Sequence, residues 1–143
     1  PIISALKRAP YELVPFVLSM FVVVLGVTSV GLSKIIGDFL SKFNSVFSFG
    51  LSSYFTANLI NNIPMSVLFS FIAADNLPAV YASIIGSNIG AYFTPIGALA
   101  GIMWCNMLKI YGIKMSFKDF FIKGAIISIP TLLSALLMLF LII

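Results

Sequence analysis

Residues 45–73 read SVFSFGLSSYFTANLINNIPMSVLFSFIA, an uncharged run interrupted near its middle by Asn61-Asn62-Ile63-Pro64. Proline lacks a backbone donor and disfavours helical backbone in the residue before it. The arms on either side of this break are each too short to cross a hydrocarbon core of ~30 Å as helices. Non-helical backbone is tolerated at membrane depth only where protein or a water-filled cavity surrounds it. We therefore predict a re-entrant hairpin over 45–73, with a single kinked helix as the alternative.

The composition is that of a membrane protein. Hydrophobic residues make up 61% of the 143 residues and charged residues only 8%, whereas soluble domains carry roughly 25% charged residues. So much apolar surface has to face lipid or other apolar protein. The basic residues lie in short clusters between apolar runs, as loop charges that orient a membrane protein do. We therefore expect no nucleic-acid partner.

The scarcity of reactive side chains excludes several kinds of chemistry. The sequence has no histidine, and Cys105 is its single cysteine. A zinc site of Cys and His ligands, a disulfide within the chain and His-based acid/base catalysis therefore have no candidates. No acidic residue falls inside the predicted membrane-depth segments. We predict no enzyme activity, no metal site and no cofactor.

A second break interrupts the uncharged residues 79–108, AVYASIIGSNIGAYFTPIGALAGIMWCNML. Pro95 pushes Thr94 out of the helical region, and the nearby glycines lower the cost of irregular backbone. We predict a broken transmembrane helix whose halves, about 79–87 and 96–108, join through an unwound stretch near the midplane. The spacing of Gly86 and Gly90 is also explained by close helix packing alone.

Three further segments complete an all-α polytopic membrane protein, a single transmembrane region over 1–143. Residues 10–32 and 121–143 are long and apolar enough for one crossing helix each. Residues 33–43 combine an apolar and a charged face, which predicts a helix in the membrane interface; a loop helix packed on protein is the alternative. The first apolar run is too long for a signal peptide, so we expect the natural N-terminus to be missing. The chain is then a C-terminal fragment of a longer protein.

The basic residues are distributed unequally across the predicted membrane. If residues 45–73 form a hairpin, Lys7 and Arg8 share a side with the four lysines of residues 109–123, whereas Lys34 and Lys42 lie on the other side. A plain crossing over 45–73 also gives six basic residues against two, with the sides reassigned. Cytoplasmic loops carry an excess of Lys and Arg. The pattern therefore predicts a multi-pass protein of the plasma or inner membrane, with residues 7–8 and 109–123 cytoplasmic and the C-terminus outside.

Polar residues gather at both breaks. Side-chain amides and hydroxyls donate and accept hydrogen bonds, and the carbonyls of unwound backbone suit a hard cation. Broken helices form the binding sites of many secondary transporters. The predicted solute- or ion-binding residues are Asn61, Asn62, Ser87, Asn88 and Thr94. The predicted backbone hinges are Pro64, Gly86, Gly90, Pro95 and Gly97.

The tip Asn61-Asn62-Ile63-Pro64, with GSNIG at 86–90 and TPIGALA at 94–100, resembles the C-terminal repeat of the ion transporter superfamily. Within it, nearly the whole chain is most similar to the arsenite/antimonite efflux permeases, the arsenical pump membrane protein family. The resemblance implies an inverted-repeat transporter in the lipid bilayer. This chain would supply one hairpin and one broken helix, and an N-terminal repeat of the same protein the other pair. It further implies export of a small inorganic solute, arsenite or antimonite, with H⁺ or Na⁺ as the coupling ion.

Several alternatives stay open. Na⁺/H⁺ antiporters and organic or inorganic anion carriers of the same superfamily share the two-break pattern. A membrane scaffold subunit without transport would have straight helices and no shared polar cavity. An intramembrane enzyme would require a nucleophile with a base, or a metal site. Because Cys105 is a single thiol, a multi-thiolate arsenic site cannot form within the chain, and arsenite would bind as a neutral hydroxide through hydrogen bonds.

Overall fold

The fold is built from helices. A computed structural model describes residue 11 and residues 13–73 and 75–143, and in this part of the chain no strand occurs. The helices are α1 (Leu13–Ser29), α2 (Leu32–Leu40), α3 (Ser45–Ile60), α4 (Asn62–Ile72), α5 (Leu77–Gly90), α6 (Leu99–Ile110) and α7 (Phe117–Ile142). The predicted all-α class is confirmed. The predicted cytoplasmic side of Lys7 and Arg8, and the start of the 10–32 helix, fall on residues outside the described ones.

Two parts of the described chain are long and apolar enough to cross a membrane. One is α7, and the other is the bent pair of α1 and α2, whose axes differ by 75°. The bend occurs at Gly31, whose φ of 75° is readily available only to glycine. Beyond the bend, Ile35 and Phe39 of α2 are exposed, whereas Gly37 packs against α4. A bilayer interface would cover these exposed apolar side chains.

Helices α3 and α4 form a hairpin with Asn61 as the one residue between them. Asn76, which caps the start of α5, donates from Nδ2 to Ser45 Oγ at the start of α3 at 2.9 Å. Midway along, the Phe49 and Phe69 rings make an edge-to-face contact with centroids 6.5 Å apart. The two arms therefore contact each other along part of their length.

The core of the molecule lies where α3 packs against α5. A Cβ added at Gly86 would collide with the Gly50 carbonyl and the Ser53 hydroxyl of α3. One added at Gly90 would lie 2.6 Å from the Tyr54 carbonyl oxygen. Real Cβ atoms do not approach backbone so closely, and the two helices can touch only because glycine stands at both positions. The G-x-x-x-G spacing thus serves helix packing.

The unwound stretch between α5 and α6 covers residues 91–98. It lies later in the chain than predicted: α5 continues to Gly90 instead of residue 87, and α6 begins at Leu99 instead of residue 96. The later start of α6 follows from Ala98, which is extended with φ −148°. A proline signal marks a break but does not fix where helical hydrogen bonding resumes.

Helix α7 runs beside α3 and reaches the unwound stretch. Near its C-terminal end, Leu136 is fully buried and packs on Gly50 of α3. Nearer its start, Gly124 lies so close to the Tyr92 carbonyl that an added Cβ would collide with it. Helix α6, by contrast, has no buried residue.

Candidate functional site

The hairpin tip is hydrogen-bonded to the unwound stretch. The backbone N–H of Asn62 donates to the Gly97 carbonyl at 3.0 Å. The Asn61 side chain donates from Nδ2 to the Ile96 carbonyl at 3.3 Å. The structure thus brings the two predicted breaks together, although they lie more than thirty residues apart in the sequence.

Asn61 shapes the tip with both its backbone and its side chain. Its φ of 70° and ψ of 152° fall in a region that is almost exclusive to glycine. Such a conformation costs of order 1–3 kcal/mol and persists only where surrounding contacts impose it. Here the side-chain oxygen accepts from the Ile63 N–H at 3.5 Å, and Nδ2 binds Ile96. With a side chain only 3% exposed, Asn61 is engaged with protein.

Asn62 is the tip residue with a free amide. Its side chain is half-buried and makes no hydrogen bond within the described residues. Its carbonyl accepts from the Ser66 hydroxyl at 2.7 Å. Pro64 follows in the first turn of α4, where a missing N–H leaves no helical bond unmade. Within the described residues, the two donors and the acceptor of the Asn62 amide therefore have no protein partner.

A residue that the sequence analysis missed, Asn58, joins the two breaks. Its Oδ1 accepts from the Thr94 backbone N–H at 3.1 Å and from the Thr94 hydroxyl at 2.6 Å. Its Nδ2 donates to the Tyr54 carbonyl at 2.9 Å and to the Gly90 carbonyl at 3.0 Å. The side chain, 9% exposed, uses all its hydrogen-bonding capacity inside the protein. The available signal was an asparagine in an apolar helix one turn before the tip.

Gly97 and Pro95 fit around this contact. A Cβ at Gly97 would lie 2.7 Å from Asn58 Oδ1, so a larger residue would displace the amide. Thr94 is buried, and its hydroxyl is committed to Asn58. Thr94 therefore belongs to the scaffold of the site, and Pro95 and Gly97 give the stretch its irregular path.

Ser87 and Asn88 lie on different faces of α5. The Ser87 hydroxyl is buried and donates to the Ile84 carbonyl at 3.0 Å. Asn88 is exposed beside Tyr81 and Ile84, and its Nδ2 donates to the same carbonyl at 2.8 Å. The structure does not bring Asn88 to the tip. Its Oδ1 has no partner within the described part of the chain, and it faces outward from the core.

A cavity of about 620 Å³ opens between α6 and α7, beside the unwound stretch. Its lining is almost entirely apolar and includes Tyr92, Trp104, Phe120, Ile127 and the stem of Lys123. Such a lining does not replace the hydration of a small polar solute. Nor do the described residues contain a cluster of metal-ligating side chains. Among the described residues, polar side chains that join separate helix breaks are those of Asn58, Asn61 and Thr94.

Comparison with known proteins gives a consistent result. A family model described as "Arsenical pump membrane protein" matches residues 2–143. The arsenical pump membrane proteins of Yersinia enterocolitica and Escherichia coli (strain K12) are each 30% identical to this chain, covering 90% of it and 33% of their own length. A putative arsenical pump membrane protein of Bacillus subtilis (strain 168) is 29% identical, covering 87% of this chain and 31% of its own. The chain thus spans about a third of the length of the curated relatives it matches. No solved structure matches it.

Proposed function

The chain belongs to the arsenical pump membrane protein family, and on that premise we propose that it forms part of a multi-pass secondary transporter that exports arsenite or antimonite across the cell membrane. The observation that carries the proposal is the direct hydrogen bonding of the hairpin tip to the unwound stretch. Paired helix breaks of this kind hold solutes in secondary transporters. The proposal assigns the chain no enzyme activity and no cofactor.

The helix lengths support the proposed arrangement in the bilayer. The 16 residues of α3 and the 11 of α4 correspond to roughly 24 Å and 16 Å. Neither arm reaches across ~30 Å of hydrocarbon, as a re-entrant hairpin requires. We assign crossings to the segment 10–32, which contains α1, to α7 and to the broken pair α5–α6, and the interface to α2. Residues 109–123, the end of α6, the following loop and the start of α7, are cytoplasmic and the C-terminus is outside.

The chemistry of the tip suits a neutral hydroxylated solute. The side chains of the contact between the breaks, from Asn58, Asn61, Asn62 and Thr94, carry no formal charge. The carbonyls of Ile96 and Gly97 already accept hydrogen bonds from the tip, so fewer lone pairs face a cation such as Na⁺. The free Asn62 amide can both donate to and accept from hydroxyl groups. Arsenite as its neutral hydroxide meets these requirements.

We assign the remaining polar residues by the direction they face. Asn61, Thr94 and Ser87 hold the backbone around the solute, because their side chains already bind protein groups. Asn88 faces away from the core of this chain. We place the N-terminal repeat of the same protein on that side. In this proposal Asn62 contacts the solute from the hairpin tip, Asn88 lines the surface that faces the N-terminal repeat, and H⁺ or Na⁺ drives the export.

The test is transport by the full-length parent protein in everted membrane vesicles. Arsenite accumulation and Na⁺-dependent proton movement would be measured side by side for Asn62→Ala and Asn88→Ala. The matched control is Asn106→Ala, which removes the same group from the exposed surface of α6, away from both breaks. We expect arsenite uptake to fall at least about tenfold in the first two variants and to stay unchanged in the control.

Two outcomes would contradict this proposal. Na⁺-driven proton movement without arsenite uptake in the unmodified protein would identify an antiporter of the same superfamily. Arsenite uptake that is unchanged in both Asn62→Ala and Asn88→Ala would make the two helix breaks purely structural.

A further inference from the structure

We propose that Asn58 is a positioning residue: it holds the unwound stretch in the one conformation that can receive the hairpin tip, so that α3 and residues 91–98 act as a single unit. This assignment rests on the proposed function only for its consequence in transport. Its structural content concerns groups of this chain alone.

The first argument is the completeness of the Asn58 contacts. Its amide accepts two hydrogen bonds from Thr94 and donates two others, to Tyr54 in its own helix and to Gly90 at the end of α5. A buried amide is expensive unless its partners are present. One side chain therefore ties together the arm of the hairpin, the end of α5 and the unwound stretch.

The second argument is that only asparagine suits this position. Aspartate would keep the acceptor for Thr94 but lose both donors, and it would place a carboxylate beside two carbonyl oxygens. Alanine would leave the Thr94 N–H and hydroxyl without their acceptor in a buried setting. Glutamine carries the same groups on a side chain one methylene longer, which would move the amide away from the positions at which Thr94 and Gly90 bind it.

The third argument connects Thr94 to the tip. Ile96 and Gly97, whose carbonyls receive the tip hydrogen bonds, follow Thr94 by two and three residues. Gly97 N–H donates back to the Thr94 carbonyl at 3.1 Å and so closes a turn on the fixed residue. Fixing Thr94 therefore fixes the direction of both carbonyls. Without Asn58, the stretch would sample conformations in which Asn61 and Asn62 have no partners.

The experiment is hydrogen exchange, read by mass spectrometry, on the full-length parent protein in detergent. In Asn58→Ala we expect peptides covering residues 91–98 to exchange at least about tenfold faster than in the unmodified protein. Thr94→Val, which removes the hydroxyl donor but keeps the N–H, should give a smaller acceleration, and Thr94→Ser none. The matched control Asn106→Ala should leave exchange unchanged, and peptides from α7 should stay protected in every variant.

Transport gives the second readout. A loosened stretch binds solute less well, because part of the binding energy is used to order it. We therefore expect Asn58→Ala to raise KM for arsenite severalfold while kcat changes less. Thr94→Val should also raise KM, whereas Thr94→Ser, which keeps the hydroxyl, should leave it at the value of the unmodified protein.

The outcomes separate the two proposals. Faster exchange confined to 91–98 in a parent protein that does not move arsenite would support the role of Asn58 and overturn the proposed function. Arsenite transport by the unmodified parent, with exchange at residues 91–98 unchanged in Asn58→Ala, would support the proposed function and overturn the role of Asn58. If Asn58→Ala fails to fold, the Thr94→Val and Thr94→Ser pair decides. Equal exchange in that pair, or acceleration throughout the protein, would overturn the positioning role.

Discussion

The two helix breaks meet the same requirement in different ways. Each frees backbone groups that need partners, and lipid offers none. The hairpin break is a single residue, Asn61, held in a conformation that few residues adopt. The second break runs over residues 91–98, and its centre is fixed by the Asn58 side chain from another helix. The short break thus depends on the strained backbone of one residue, Asn61. The long break depends on the Asn58 side chain, which belongs to another helix.

The largest effect on stability is expected from a substitution that pushes apart the two helices that carry the breaks. Gly86→Ala places a methyl group against the Gly50 carbonyl and the Ser53 hydroxyl. Because backbone must move to accommodate it, we expect a loss of about 3 kcal/mol in the free energy of unfolding. The measurement is thermal or denaturant unfolding of the full-length protein in detergent.

Gly26→Ala in α1 is the matched control for that substitution. A Cβ at Gly26 meets nothing within 4 Å. Alanine there should stabilise the helix by roughly 0.5–1 kcal/mol, because glycine is a poor helix former. A Gly86→Ala protein as stable as the Gly26→Ala protein would show that α3 and α5 do not approach as closely as described.

The next prediction sharpens the description of the short break. Asn61→Gly removes the backbone strain as well as the side-chain hydrogen bonds to Ile96 and Ile63. Asn61→Ala removes the same hydrogen bonds but keeps the strain. We therefore expect the alanine variant to be less stable than the glycine variant by about 1–2 kcal/mol. The reverse order in the same unfolding assay would mean that Asn61 does not adopt a positive φ.

The smallest effect concerns a hydrogen bond between side chains of α3 and α7. The Tyr54 hydroxyl and the Ser128 hydroxyl are 2.6 Å apart and buried between α3 and α7. A double-mutant cycle of Tyr54→Phe and Ser128→Ala should give a coupling of about 1 kcal/mol in unfolding free energy. Hydrogen exchange at residues 91–98 should be unchanged in Tyr54→Phe. Faster exchange at residues 91–98 in this variant would show that contacts with α7 also stabilise the unwound stretch.

The features that sequence predicts here are those with a local signature. The break at Asn61 could be predicted because two asparagines and a proline stand together in an uncharged run. The end of the second break could not, because α6 begins only after extended Ala98, which no proline or glycine rule marks. Asn58 was missed because its partner Thr94 is 36 residues away and a lone asparagine carries no pattern.

The separation of Ser87 and Asn88 teaches the same lesson. The sequence places both at one break, and we grouped them as site residues. In a helix, neighbouring residues point about 100° apart. Ser87 is consequently buried and Asn88 exposed. Which of the two faces the core depends on the rotation of α5 against α3, and Gly86 and Gly90 set that rotation through their contacts.

The path of α7 has a mechanical consequence. This helix is attached to the first arm of the hairpin through Leu136 and to the unwound stretch through Gly124. A third contact, between the Ser128 and Tyr54 hydroxyls, lies between these two. Pro130 follows Ser128 in the same helix and contributes no backbone N–H. Because prolines are the commonest sites of helix kinks, any bending of α7 that accompanies movement of the unwound stretch is expected at this turn.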